Sequence, residues 1–277
     1  MIFSNLQIIT VVFNHSSYLE KYFQSFLNVY KTIPCPIHII DNNSQDNSYQ
    51  VLQKWHSRFP QKIFLQQSLK NTGFSKANNQ LVAKSQSKFI LFLNPDISFS
   101  NDFISPCLQK LSEKNICLSP SFKDPQTKQK YNNFDSFYDN FFYIFNKVFN
   151  KFFTKRKLHL VDWIQAACLF LSRESFQLID GFNEEFFVYT EDMYLAKKLN
   201  ENNIFSYIDP TIEVFHPNRQ ISNEQFLSIC KNLQIYNKEF SIKPYLGYLY
   251  LLQFFKKKQP QSLKIWKQVQ NEKHSSN

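Results

Sequence analysis

Over the first hundred residues, short apolar runs alternate with longer stretches in which apolar side chains recur at helical spacing. Residues 6–13 (LQIITVVF) are mostly apolar and β-branched, the composition of a strand buried on both faces of a parallel sheet. Asn14 to Ser17 then supply turn and capping chemistry, and Tyr18, Tyr22, Phe23, Phe26, Leu27 and Tyr30 mark one face of a helix over 18–30. The alternation continues as a strand at 37–40 ending on Asp41-Asn42-Asn43-Ser44, a helix at 47–59, a strand at 63–66, a helix at 75–85 and a strand at 89–93 ending on Asn94-Pro95-Asp96. Strands and helices in this order predict βαβ units, hence an α/β fold with a parallel sheet. Ligands of such sheets lie beyond the carboxyl ends of the strands, so Asn14, Asp41, Asn43, Asn94 and Asp96 are expected to converge on one rim.

Beyond Asp96 the pattern loosens. It predicts a helix at 103–111, a strand at 116–121 and a polar loop at 124–133. Residues 134–159 interleave phenylalanines such as Phe141, Phe145 and Phe149 with Lys147, Lys151, Lys155, Arg156 and Lys157, which reads as a basic aromatic helix. A membrane interface suits such a helix, and a core helix with a solvated basic edge accounts for it equally. Residues 161–172 (VDWIQAACLFLS) fit a strand or a buried helix, because a short apolar run has no distinguishing period. A turn at 181–183, a helix at 191–200 and a strand at 206–208 follow, and from 222 the chain reads as helical and increasingly basic. The simplest division is one domain over 1–222 and a basic helical C-terminal extension over 223–277.

Composition narrows the function classes. The 277 residues contain three glycines, where average usage would supply roughly 19. G-x-G-x-x-G, P-loop and G-x-S-x-G motifs are all missing, which sets aside dehydrogenase, P-loop NTPase and serine hydrolase chemistry. Aromatic residues make up 17% of the chain, far above what a disordered segment carries. Lys and Arg number 32 against 22 acids, a net charge of +10 that favours nucleotides, nucleic acid or an anionic membrane as partners. Five scattered cysteines without a C-x-x-C pair argue for a reducing compartment and against a disulfide or thiolate-metal framework. The N-terminal run lacks signal-peptide features, and the apolar stretch at 245–255 is shorter than the roughly 20 residues a spanning helix needs. The expected location is the cytoplasm, with peripheral contact to the inner face of the membrane left open.

The most specific signal is a set of segments in fixed order. They are Thr10-Val11-Val12-Phe13-Asn14, Asp41-Asn42-Asn43-Ser44, Asn71-Thr72-Gly73, Asn94-Pro95-Asp96, Asp162-Trp163, the run from Gly181-Phe182-Asn183 to Tyr189-Thr190-Glu191-Asp192, and His216. This array resembles the family 2 inverting glycosyltransferases of GT-A fold, in particular their rhamnosyltransferase-like branch, over roughly residues 6–222. The resemblance implies a Rossmann-like, mostly parallel sheet flanked by helices, with a nucleotide-sugar half over about 1–100 and an acceptor half over about 101–222. It implies a nucleotide-diphosphate sugar donor, dTDP-rhamnose or a UDP-hexose, and a glycan or lipid-linked oligosaccharide acceptor in cell-surface polysaccharide assembly, lipopolysaccharide included. Nucleic acid drops out as a partner.

Residue by residue, the resemblance assigns Thr10, Val11, Asn14, Asp41, Asn43, Asn71, Gly73, Lys76, Asn94 and Asp96 to the nucleotide sugar. Asp162, Trp163 and Glu191 fall to the acceptor or sugar pocket, Asp96 and His216 to a divalent cation, Mg²⁺ or Mn²⁺, and Asp192 to the general base. The usual Asp-x-Asp is Asn94-Pro95-Asp96 here, which leaves one carboxylate for the metal. A usual Gly-Ala pair is Ala166-Ala167, which adds methyl bulk near the sugar. Several of these residues have structural readings as well: Asp41 as a turn residue, Lys76 as a solvated lysine, Trp163 as core, and Glu191-Asp192 as charge compensation at a helix N-terminus. Two other functions fit the basic patches or the α/β pattern: a non-catalytic membrane-surface or polyanion-binding protein, and a nucleotidyltransferase.

Overall fold

The computed structural model describes residues 2–84, 86–135, 137, 158–219 and 222–240. Its first half follows the expected alternation: β1 (Leu6–Val12), α1 (Ser16–Tyr30), β2 (Ile37–Asp41), α2 (Ser48–Arg58), β3 (Ile63–Gln67), α3 (Phe74–Val82) and β4 (Phe89–Leu93). Next come α4 (Ile104–Glu113), β5 (Cys117–Lys123), β6 (Lys130–Tyr131), β7 (Phe134–Asp135), β8 (His159–Val161), β9 (Trp163–Ile164) and β10 (Cys168–Ser172). The described chain closes with α5 (Arg173–Leu178), α6 (Glu191–Glu201), β11 (Ser206–Phe215) and α7 (Asn223–Phe240).

The main sheet runs β3-β2-β1-β4-β10-β5-β11-β8, with β6 paired to β5. β3, β2, β1 and β4 are mutually parallel, as are β5 and β11, whereas β10 lies antiparallel between β4 and β5. This is the α/β, mostly parallel mixed sheet flanked by helices. Alternate side chains of each strand enter different cores. Leu6 and Ile8 of β1 join Tyr22, Phe23 and Phe26 of α1 and Leu108 of α4, while Ile9 joins Leu81 of α3, Phe176 of α5 and Leu195 of α6. Burial on both faces is why β1, β2 and β4 are almost wholly apolar. A third cluster, with Phe186, Met193, Tyr194, Leu233 and Tyr236, joins α6 to α7.

Four parts depart from the sequence pattern. The expected helix over 134–159 has strands at both ends. Phe134 pairs with Ile164 of β9, its ring meets that of His159 at 5.8 Å, and His159 begins β8, so sheet pairing outweighs the apolar spacing. The interior of that segment, like the apolar stretch at 245–255, lies outside the described residues. The expected loop at 124–133 contains β6. β11 continues past Ile208 to Phe215 through a register shift between Asp209 and Glu213, where Pro210 has no N–H for the ladder. α5 was not apparent in the pattern: it is a single short turn, capped by Ser172, whose hydroxyl accepts from Ser175 N.

Candidate active site

A cavity of about 920 Å³ opens at the carboxyl ends of β1, β2 and β4 and is closed by the N-terminus of α6, the end of β11 and the start of α7. β1 lies between β2 and β4, so the loops after β1 and β4 diverge here and leave a crevice.

Beyond the ends of β1 and β2 one side chain organises the loop before α3. Asn42 donates to Asn71 Oδ1 at 2.9 Å and Gly73 O at 3.1 Å, and accepts from Thr72 N at 3.0 Å. Gly73 has φ +85°, and a Cβ there would lie 2.6 Å from Phe187 O. Phe74 N donates to that same carbonyl at 2.6 Å, so the loop before α3 and the segment leading to α6 touch backbone to backbone.

At the end of β4, Asn94 N donates to Ala167 O, and Asp96 projects beside His216 and Arg219. Tyr131 donates its hydroxyl proton to His216 O at 3.2 Å and also meets His216 Nδ1. In the tautomer with its ring proton on Nδ1, His216 presents a lone pair at Nε2. That lone pair faces Asp96 Oδ1 at 3.6 Å, an oxygen with no hydrogen-bond partner. Burial lowers the His216 pKa against the opposing pull of Asp96, which keeps the ring neutral. In that tautomer two electron-pair donors face each other, an arrangement that fits a divalent cation. Among the described residues no three His, Cys, Asp or Glu side chains gather into a metal cluster.

Opposite stands the start of α6. Tyr189 (φ 71°) and Thr190 (φ 74°) are both left-handed, a strained arrangement for a bulky and a β-branched residue. Asn232 of α7 holds it, donating to Val188 O at 2.8 Å and Tyr189 O at 2.6 Å. Glu191 and Asp192 follow, and burial raises both carboxyl pKa values, with Asp192 raising that of Glu191 further. Asp192 accepts from Met193 N at 2.8 Å and Ala166 N at 3.4 Å, whereas Glu191 Oε2 has no partner. Burial thus favours the protonated form of both, most strongly of Glu191, whose pKa its neighbour raises further, while the two backbone N–H groups favour charge on Asp192.

Of the residues expected at the site, Val11, Asn71, Gly73, Asn94, Asp96, Trp163, Glu191, Asp192 and His216 line this one cavity. The others sit behind or outside the wall. Thr10 is in the core with its hydroxyl against Tyr22, and Asp41 is fully buried, accepting from Ser44 N. Asn14 (φ 56°) and Asn43 (φ 66°) shape the loops after β1 and β2, where Asn14 binds Ser44 and Gln45. Lys76 pairs with Glu184 at 3.4 Å, and Asp162 accepts from Phe137 N. Sequence reasoning passed over Asn42, Tyr131, Arg219 and Asn232. Asn42 lay within a quoted motif, but adjacent residues at a strand end point to opposite sides and sequence does not say which faces the ligand.

Comparisons with known proteins bear on this geometry. The family model described as Glycosyl transferase family 2 matches residues 7–179. An N-acetylglucosaminyl-diphospho-decaprenol L-rhamnosyltransferase of Mycobacterium tuberculosis is 23% identical over 236 residues, covering 76% of this chain and 75% of the relative. Among solved structures, GalNAc-T7 with UDP, GalNAc and Mn²⁺ superposes with a TM-score of 0.64 at 15% identity, over 82% of this chain and 47% of that one. A mannosyltransferase from Pyrobaculum calidifontis, in complex with GDP-Man and Mn²⁺, gives 0.63 at 13% identity, over 99% of this chain and 76% of that one. The chain thus spans about half the length of GalNAc-T7.

Proposed function

The chain belongs to glycosyl transferase family 2, and from that membership we propose that it transfers a sugar from a nucleotide-diphosphate sugar with inversion, Asp192 acting as general base. The observation that carries this reading is the shared cavity: the buried Asp192 carboxylate, held by Met193 N and Ala166 N, lines the same space as Asp96, His216 and the Asn42-held loop.

In the reaction, an acceptor hydroxyl attacks the anomeric carbon as the bond from that carbon to the diphosphate breaks. Its proton passes to Asp192, and the nucleoside diphosphate leaves on the side of Asp96. Glu191 retains its own proton and so spares the cavity a second negative charge. Ala166 N and Met193 N fix the Asp192 carboxylate, and Asn232 fixes the turn that presents it. Asp96 and His216 would hold Mg²⁺ or Mn²⁺, which when bound neutralises the diphosphate. Trp163, at the cavity wall, offers an aromatic face to a sugar.

The donor class favoured is dTDP-rhamnose, on the likeness to the rhamnosyltransferase, with UDP-hexoses next. The acceptor favoured is a lipid-linked glycan of cell-surface polysaccharide assembly. No helix among the described residues is long and apolar enough to cross a membrane, so an acceptor of this kind would be reached from the membrane surface. The test is a donor panel of dTDP-rhamnose, UDP-hexoses and GDP-mannose with Mn²⁺ or Mg²⁺, run beside Asp192→Asn. Transfer that persists unchanged in Asp192→Asn removes the base assignment, and binding of no nucleotide sugar removes the whole reading.

A further inference from the structure

The net charge of +10 is unevenly placed along the chain. Residues 138–157 and 241–277 hold 12 of the 32 Lys and Arg and 2 of the 22 acids, which leaves 20 of each sign over the rest. The part of the chain that carries the cavity is therefore neutral, and the whole surplus belongs to two stretches that are both rich in aromatic residues.

Both stretches leave the described fold at one corner. Phe137, the residue before the first, is buried in the cluster that joins α6 to α7, and Phe240, the residue before the second, packs against the same cluster. Lys197 of α6 links them: its ammonium lies 4.9 Å from the centre of the Phe137 ring and 5.9 Å from that of Phe240. Lys198 lies over the Phe240 ring as well, at 5.8 Å, and Lys238 is exposed in the last turn of α7. The same helix connects this corner to the cavity. Leu233 lines the cavity, and Phe240 follows seven residues later, roughly 10 Å farther along the helix axis.

An anionic lipid surface fits this distribution better than nucleic acid does. Residues 245–255 (YLGYLYLLQFF) are apolar and aromatic and run directly into Lys256-Lys257-Lys258. One stretch thus supplies apolar groups for the acyl boundary and charge for the headgroups, while being too short to span a bilayer. A phosphodiester backbone would engage the lysines and leave the aliphatic side chains without a partner.

We propose that the corner formed by the last turns of α6 and α7 is the face that docks on an anionic lipid bilayer, with the lysines and aromatic side chains of 241–277 as its principal contact. Docked there, the cavity lies beside the surface that anchors a lipid-linked acceptor. The link to an acceptor rests on the acceptor class proposed above, whereas the docking stands without it.

The test is co-sedimentation of the full chain with vesicles of phosphatidylcholine alone and of phosphatidylcholine mixed with phosphatidylglycerol, at low and at high salt. Wild type is expected to bind only the anionic vesicles and to be released by salt. Each lysine near an anionic surface contributes roughly fivefold to partitioning, so the triple variant Lys256→Gln, Lys257→Gln, Lys258→Gln loses on the order of a hundredfold. Lys238→Glu, at the corner itself, loses roughly tenfold. Removing three exposed lysines elsewhere, Lys21→Gln on α1, Lys54→Gln on α2 and Lys84→Gln beyond α3, changes binding by less than about twofold. Vesicles with brominated acyl chains quench Trp266, and Trp266→Phe abolishes the quenching, since Trp55 is buried and Trp163 lines the cavity. Absence of binding to anionic vesicles, equal losses in the two lysine triples, or quenching that survives in Trp266→Phe overturns the proposal. Release of vesicle-bound protein by a single-stranded oligonucleotide at equal phosphate concentration assigns the surface to nucleic acid and overturns it too. Should the Lys256–Lys258 variant fail to fold, Lys238→Glu decides, and affinity equal to wild type counts against the corner. None of these outcomes touches the glycosyltransferase reading, whereas a chain that binds anionic vesicles and no nucleotide sugar keeps the docking face and loses that reading.

Discussion

At the scale of single residues, the Glu191–Asp192 pair controls the proposed chemistry. Two adjacent acids at a helix start were legible in the sequence and had a bland explanation there, compensation of the helix dipole. Their burial was not legible, and burial raises both carboxyl pKa values. Asp192→Asn is expected to lower kcat about 10²- to 10⁴-fold with nucleotide affinity unchanged. The acid limb of the kcat profile lies above the ordinary aspartate value of 3.8, because the carboxyl pKa is raised and activity is lost as pH falls through it. Glu191→Gln tests the same burial through stability. A carboxyl with a raised folded pKa leaves the folded state binding more protons than the unfolded state, so stability falls as pH rises above the ordinary value of 4.5. The variant removes that loss: its melting temperature exceeds wild type at pH 7 and converges on it near pH 4, at about 2–4 °C for each kcal/mol recovered.

At the scale of elements, the site depends on three contacts between segments far apart in the chain. The donor loop meets the pre-catalytic segment at Gly73 and Phe187, α3 grips that segment where Asn79 exchanges hydrogen bonds with both Phe182 N and Phe182 O, and α7 holds it from the other side through Asn232. Gly181 belongs to the same junction, with φ +77° and room for a Cβ only at 2.8 Å from Asn79 Oδ1. Two of the three glycines of this glycine-poor chain thus mark close backbone approaches. Gly73→Ala is expected to lower nucleotide affinity and kcat together, since its methyl meets the Phe187 carbonyl, a backbone atom that cannot swing aside. Parallel titration and turnover measurements check this. Asn232→Leu releases the Val188 and Tyr189 carbonyls, and the expected result is a fall in kcat with little change in donor KM, because Asn232 acts on the base and not on the donor loop. The helices and strands that carry these contacts were readable from periodicity, yet the contacts were not: periodicity says which face of an element is apolar and is silent on its partner.

For the molecule as a whole, the candidate cavity extends beyond the sheet. Phe226, Ile229 and Leu233 of α7 line it, and Leu233 and Tyr236 pack with Phe186, Met193 and Tyr194. A chain ended at Ser222 uncovers that apolar cluster, and the expected outcome is dye binding to exposed apolar surface and loss of transfer, measured by fluorescence and by the donor assay. The sequence by itself determined the α/β alternation over the first four strands and the strand-end position of Asn94 and Asp96. Those features follow from hydrophobic period and from residue types at strand ends, which are local properties. Only the tertiary structure decided that Asn42 rather than Asp41 organises the donor loop and that Phe134 pairs as a strand. It also decided that β10 enters the sheet antiparallel, and that Tyr131, Arg219 and Asn232 complete the site. Each depends on a neighbour 29 or more positions away in the chain, as Asn42 on Asn71 and Arg219 on Asp96, and the free energy of such a contact lies in burial and geometry that no local pattern encodes.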